Sequence, residues 1–181
     1  MYDFYSDTKT KPSKEMLEYA LGRTFGDEQK DEDPTTLELC ERVASLLGKE
    51  SAVFLPSGTM CNEIAISVQT SPGDEILCDR TCHIINFEGG APAAMSGVMI
   101  HPLDGKHGQF TEEDVSQALR PKSRHMPISR MLCAEQTGNL GGGGVWPVEK
   151  LDSVAQVAKK SGLSTHLDGA RLLTACAKTG I

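Results

Sequence analysis

No apolar run in this sequence approaches the ~20 residues that a membrane-crossing helix needs. Blocks of lysine or arginine are missing too. With 25 acidic residues against 18 basic ones the net charge is −7, so the electrostatic footprint of a nucleic-acid binder is absent and small molecules or proteins are the partners to expect. The six cysteines include no C-x-x-C pair. The nearest metal-like spacing, Cys78 with Cys82 and His83, has no second cluster to close a four-ligand site, so neither a disulfide scaffold nor a zinc site is predicted. Residues 1–12 hold no apolar core flanked by basic residues, and the sequence predicts a cytoplasmic protein with reduced thiols.

What the chain does have is alternation. At 181 residues it fits a single domain able to bury a core, with an N-terminal arm and helices over 1–48 and an α/β part over 49–181. Ser13 is a candidate N-cap for a helix over 14–21 that Gly22 ends, and 26–33 is an acidic, aperiodic loop. Pro34 with Thr35 and Thr36 announces a second helix, on which Leu39, Val43, Leu46 and Leu47 recur at helical spacing until Gly48. Beyond it the pattern predicts strands over 51–55, 75–78, 97–101 and 129–134. Helices are predicted over 60–69 and 147–160, with a short one over 84–88 and another opened by Thr111 and Asp114 at capping-box spacing. A last apolar strand leads from Leu163 to Asp168. Strands alternating with helices imply a mostly parallel sheet covered by helices on both faces.

In that architecture the chemistry belongs on the strand-to-helix loops of one rim. Ser57-Gly58-Thr59 precedes a helix; its N–H groups and the helix dipole suit a phosphate, although a hydroxyl there is equally an N-cap. His83 follows a strand and could stack on a flat ring or move a proton near neutral pH, or simply be a surface histidine. Glu135-Gln136-Thr137-Gly138-Asn139 offers hydrogen-bonding groups beyond another strand. Asp168 and Arg171 flank a Gly-Ala turn, where Asp-Gly is also an ordinary turn pair. Together these parts suit a planar phosphorylated cofactor with a basic ring nitrogen, such as pyridoxal phosphate, whose nitrogen an aspartate keeps protonated. Spacing alone does not separate it from a nucleotide, but neither G-x-G-x-x-G nor G-x-x-x-x-G-K-[ST] is present.

Five stretches carry a family likeness. They are Tyr5-Ser6-Asp7-Thr8-Lys9-Thr10-Lys11-Pro12, Glu32-Asp33-Pro34-Thr35, Leu55-Pro56-Ser57-Gly58-Thr59-Met60, Glu88-Gly89-Gly90 and His166-Leu167-Asp168-Gly169-Ala170-Arg171-Leu172. In these the chain resembles the low-specificity L-threonine aldolases, of the beta-eliminating lyase group of fold-type I pyridoxal-phosphate enzymes. The resemblance implies the large cofactor-binding α/β domain of that fold and aldol cleavage of a β-hydroxy amino acid, L-threonine or L-allo-threonine, to glycine and acetaldehyde. It implies that Ser57, Gly58 and Thr59 hold the cofactor phosphate, that His83 stacks on the ring, and that Asp168 pairs with the ring nitrogen. Ser6 and Arg171 would bind the substrate carboxylate, and His125 would help deprotonate the substrate hydroxyl. Glu88 matches a polar family position with no assigned role, and a homo-oligomer is implied for the full-length protein.

The departures are specific. Lys30-Asp31 stands where the family has Tyr-Gly, and Glu135-Gln136-Thr137-Gly138-Asn139 stands for the family's Glu-Asn-Thr-His-Asn. The lysine that forms the family's Schiff base lies in a Ser-Lys-Gly motif after the Asp-Gly-Ala-Arg turn. This sequence reaches Ile181 without that motif, and Lys178, the one lysine after Asp168, does not match it. The sequence is therefore expected to be truncated before the lysine, and the alternatives to a threonine aldolase are a non-catalytic cofactor-binding remnant or another fold-type I lyase or aminotransferase.

Overall fold

The computed structural model describes residue 3 and residues 5–180; Met1, Tyr2, Phe4 and Ile181 lie outside the described residues. The chain divides into two compact units, Met1–Phe54 and Leu55–Ile181.

In the first unit Ser13 caps α1 (Lys14–Leu21) by accepting from Met16 N, and Gly22 closes it. Asp33 caps α2 (Pro34–Leu46), where Pro34 fits the first turn because its missing N–H has no intrahelical acceptor. The Asp33 carboxylate accepts from Thr36 N at 2.8 Å and from Gly26 N at 2.9 Å. These two N–H bonds hold its pKa below the usual carboxylate range. A Cβ at Gly26 would lie 2.1 Å from the Glu32 carbonyl oxygen, so this loop requires glycine. The expected strand over 51–55 does not form. None of those residues has a ladder partner among the described residues, and Val53 and Phe54 are 70 % and 55 % exposed. An apolar run such as Ala52–Leu55 is only half of a strand; the other half is an edge to pair with.

The second unit is built on four parallel strands, β1 (Asp74–Asp79), β2 (Met99–Leu103), β3 (Ile128–Glu135) and β4 (Ser164–Asp168), in the order β2-β1-β3-β4. The helices are α3 (Gly58–Gln69), α4 (His83–Asn86), α5 (Ala91–Ser96), α6 (Glu112–Ala118), α7 (Val148–Lys160) and α8 (Leu172–Thr179). Period-two alternation sends Leu77, Leu103, Leu132 and Ala134 to one face, where they meet Val115, Trp146, Val154 and Ala158 of the α6–α7 side. Ile76, Cys78, Met131 and Cys133 point to the other face, against Ile66 of α3 and Ile84 of α4. Both faces of the two central strands are covered, which is why Ile76–Cys78 of β1 and Met131–Ala134 of β3 read as continuous apolar runs.

Two of these helix starts follow from their side-chain caps. Thr111 and Asp114 form the reciprocal capping box of α6, and Ser57 caps α3, which therefore begins two residues before the expected Met60. α5 was not anticipated; its Ala91-Pro92-Ala93-Ala94 start lies between glycines 90 and 97, both at positive φ. The order of the strands places a switch point between β1 and β3: the chain leaves β1 for β2 on one side and returns to β3 on the other. In open α/β sheets the carboxyl ends of the strands at such a point form a natural crevice.

Candidate functional site

The carboxyl ends of β1, β3 and β4 and the start of α3 come together at this switch point. α3 runs against the strand direction, so its N-terminus faces the same rim. The N–H groups of Gly58 and Thr59 have no intrahelical acceptor there, since they belong to the first turn. Ser57 Oγ accepts from Met60 N at 3.2 Å, so the N-cap reading of Ser57 holds; its O–H remains a donor. A Cβ added at Gly58 would meet nothing within 4 Å, which leaves open space beside the helix start.

One turn further along α3, Asn62 is buried and ties the rim together. Its Nδ2 donates to Glu88 Oε1 at 2.8 Å and to Asp168 Oδ2 at 2.9 Å. Its Oδ1 lies 2.9 Å from His166 Nε2, and because the Asn62 oxygen only accepts, His166 carries its proton on Nε2. Burial lowers the His166 pKa from its ordinary 6.5, consistent with a neutral ring. Asp168, at the end of β4, also accepts from Ala170 N at 3.1 Å, so the turn that follows orients it. His83 opens α4 after β1. Its Nδ1 is 2.8 Å from Glu88 Oε1, and about a third of its side chain is exposed while that of Glu88 is fully enclosed.

Glu135 finishes the frame. Its two oxygens accept from His83 N at 2.9 Å and Asn139 N at 3.0 Å, which pins the start of α4 to the end of β3. Burial raises its pKa, partly offset by those two N–H bonds. Gln136 is likewise engaged internally: its side chain pairs with the Trp146 backbone N–H and carbonyl, its N–H donates to Asp168 O, and its carbonyl accepts from Arg171 N. The loop from Glu135 to Asn139, expected to offer groups to a ligand, thus spends Glu135 and Gln136 on bracing its neighbours. Arg171 stands half-buried at the N-cap of α8, three residues past Asp168.

Ligand-type atoms of His83, Glu88 and Asp168 all lie within 4.8 Å of one another. Because Asn62 and His83 already occupy the facing carboxylate oxygens, this is a hydrogen-bonded network rather than an ion cage. The thiols of Cys78 and Cys133 are buried; a hydrogen bond with Cys82 and then burial push Cys78 well up, and burial pushes Cys133 well up, so they are inert rather than nucleophilic.

The structure therefore gathers Ser57, Gly58, Thr59, His83, Asp168 and Arg171 around one rim. His125 is not among them. It is exposed, accepts from Arg124 Nε at 3.2 Å, and precedes β3, so the eight residues of that strand, at ~3.3 Å each, separate it from Glu135. The family resemblance implies an active-site role for His125, but its place in this chain is the opposite rim, beside a cleft of about 600 Å³ that Arg120, Lys122 and Arg124 line. Ser6 belongs to the first unit, where its Oγ accepts from Thr8 N. Asn62, Glu63 and His166 escaped the sequence reading as site residues. The available signal was two polar residues, Asn62 and Glu63, on a helix whose Ile66, one turn from Asn62, is wholly buried.

Residues 3–181 match the family model described as beta-eliminating lyase. Over 99 % of its length the chain is 37 % identical to a probable low-specificity L-threonine aldolase 2 from Arabidopsis thaliana, of which it spans 52 %. It is 33 % identical to the low specificity L-threonine aldolase of Escherichia coli K12, again over 99 % of this chain and 54 % of the relative. A solved Leishmania major threonine aldolase aligns with TM-score 0.74 and 26 % identity over 81 % of this chain and 43 % of that one. The chain thus spans about half the length of the curated relatives it matches.

Proposed function

The chain belongs to the beta-eliminating lyase family, and from that premise we propose that it is the cofactor-binding part of a pyridoxal-phosphate enzyme that cleaves β-hydroxy amino acids, L-threonine or L-allo-threonine, to glycine and acetaldehyde. One observation carries this reading: a single hydrogen-bonded chain links Asp168 through Asn62 and Glu88 to His83 on the rim where α3 begins.

The residues suit the cofactor's chemistry. An anion is favoured at the α3 N-terminus, where Gly58 and Thr59 present N–H groups, the Ser57 hydroxyl is a further donor, and the space at Gly58 is open. The Asp168 carboxylate, fixed by Asn62 and Ala170, would hold the proton on the ring nitrogen through its charge. Bound pyridoxal phosphate supplies a protonated ring that accepts the electron pair released at the substrate's α-carbon.

The remaining work falls to the chain's own groups. Arg171 would bind the substrate carboxylate as a charge-assisted partner. With Nδ1–H donated to Glu88, His83 leaves Nε2 as an acceptor for the β-hydroxyl proton. No such role is assigned to His125 within this chain. A second reading is that the chain, which spans about half the length of its curated relatives, holds the cofactor without cleaving substrate by itself.

Equilibrium dialysis of the chain with pyridoxal phosphate tests the binding. Saturable uptake that Asp168→Ala abolishes is expected; equal uptake by the variant would overturn the assignment. Incubation with threonine then separates the readings. Glycine plus aldehyde marks the aldolase and ammonia plus a keto acid another lyase. Cofactor uptake with no product, and no borohydride-trapped adduct, marks the non-catalytic reading.

A further inference from the structure

Next to the network lies a pair of acids that the mechanism above does not use. Glu63 follows Asn62 on α3 and is 5 % exposed; Glu88 precedes α5 and is 6 % exposed. Glu63 adjoins Asn62, whose amide holds Glu88 at 2.8 Å, and Glu88 is the acidic group that acts on the Glu63 carboxyl. Three of their four oxygens, both of Glu63 and Oε2 of Glu88, are buried without a donor among the described residues. The fourth, Glu88 Oε1, accepts from both Asn62 and His83. Two ionised carboxylates in this position would repel each other, and no donor would offset the desolvation of Glu63. One proton between them supplies the missing donor.

We propose that Glu63 and Glu88 share one proton, that Glu63 carries it, and that Glu63 is a positioning residue: by keeping the pair singly anionic and Glu88 in place it fixes His83 in the Nδ1–H form. Burial, reinforced by Glu88, pushes the Glu63 carboxyl up to about 7, in agreement with a pair that holds its proton to neutrality. Glu88 is the ionisable group lying directly against Glu63. His83 on α4 is reached through Glu88, and Asp168 and His166 on β4 through Asn62. Above neutrality the second ionisation breaks the arrangement, and the base loses its fixed tautomer. What His83 does with that tautomer rests on the proposed function; the shared proton does not.

The test compares the full chain with Glu63→Gln, which donates permanently where the protonated acid would. In ¹³C spectra of glutamate-labelled protein, one carboxyl is expected to titrate near pH 7 and to be missing from Glu63→Gln. In ¹⁵N spectra, the His83 ring is expected to stay Nδ1–H up to neutrality and lose that signature above it, and to keep it at high pH in Glu63→Gln. Glu63→Leu, which packs but cannot donate, is expected to lose it at every pH. A pair with no step near neutrality overturns the proposal, as does a His83 ring indifferent to the Gln and Leu changes. A step that moves with potassium concentration at constant ionic strength also overturns it, because a cation rather than a proton would then bridge the pair. If these signatures appear while pyridoxal phosphate fails to bind, the proposed function fails and the shared proton stands.

Discussion

Replacing Asn62 with alanine is the sharpest perturbation of the rim. The side chain is 5 % exposed and makes three hydrogen bonds, two to carboxylates at 2.8 and 2.9 Å and one to His166 at 2.9 Å. Hydrogen bonds to charged groups contribute ~1.5–3 kcal/mol each, and each buried group left without a partner costs ~1–3 kcal/mol. These terms overlap because the partners belong to one network. A net loss of about 3–5 kcal/mol is therefore expected, a large share of a small domain's stability. The assay is urea unfolding followed by tryptophan fluorescence, since the single tryptophan, Trp146, is 2 % exposed in the core. Asn62→Asp should lose at least as much at pH 8, because it adds a third carboxylate between Glu88 and Asp168, and should recover in part at pH 5. A loss below ~1 kcal/mol for Asn62→Ala, in the range of a surface change, would refute the view that this amide organises the site.

Other outcomes follow from the same geometry. Glu63 has its folded pKa raised from 4.5 to about 7, so the folded state binds more protons than the unfolded one in that window. Stability present below pH 4.5 is lost as pH rises through 7, by on the order of 3 kcal/mol, and Glu63→Gln should flatten that fall in urea midpoints taken across pH. His166 has the opposite sign: its folded pKa lies below 6.5, so stability is lost as pH falls from 6.5 through the folded value, and His166→Gln should remove that loss. At the opposite rim Arg120 pairs bidentately with Glu75, which is 1 % exposed. Arg120→Ala should lower stability by about 2–4 kcal/mol yet leave pyridoxal-phosphate uptake by dialysis unchanged. Gly141→Ala, whose Cβ would lie 2.6 Å from the His107 carbonyl oxygen, should lower the thermal midpoint by several degrees, given about 2 kcal/mol of strain.

The elements with local punctuation were legible in the sequence. Ser13 and Gly22 bound α1 where expected, and the Thr111–Asp114 capping box opens α6, because caps act through neighbours in sequence. The rim could also be inferred, since an Asp at a strand end and hydroxyls at a helix start define positions in any parallel α/β sheet. What escaped depends on distant partners. Residues 51–55 have strand composition but no edge to pair with. Asn62 looks like an ordinary helix residue until its partner 106 positions away is known. The resemblance implies an active-site role for His125, yet the direction of β3 puts it at the far rim. The loop over 135–139 offers amide and hydroxyl groups suited to a ligand, yet its Glu135 braces α4.

The central claim is that Asp168 serves the ring nitrogen of a cofactor lying on the α3 rim. It is tested most directly by ¹⁵N spectra of pyridoxal phosphate labelled at that nitrogen, bound to the chain at pH 8. A pyridinium resonance is predicted with the native sequence and its loss with Asp168→Ala. A bound cofactor whose nitrogen is unprotonated, or protonated equally in the variant, would contradict the account.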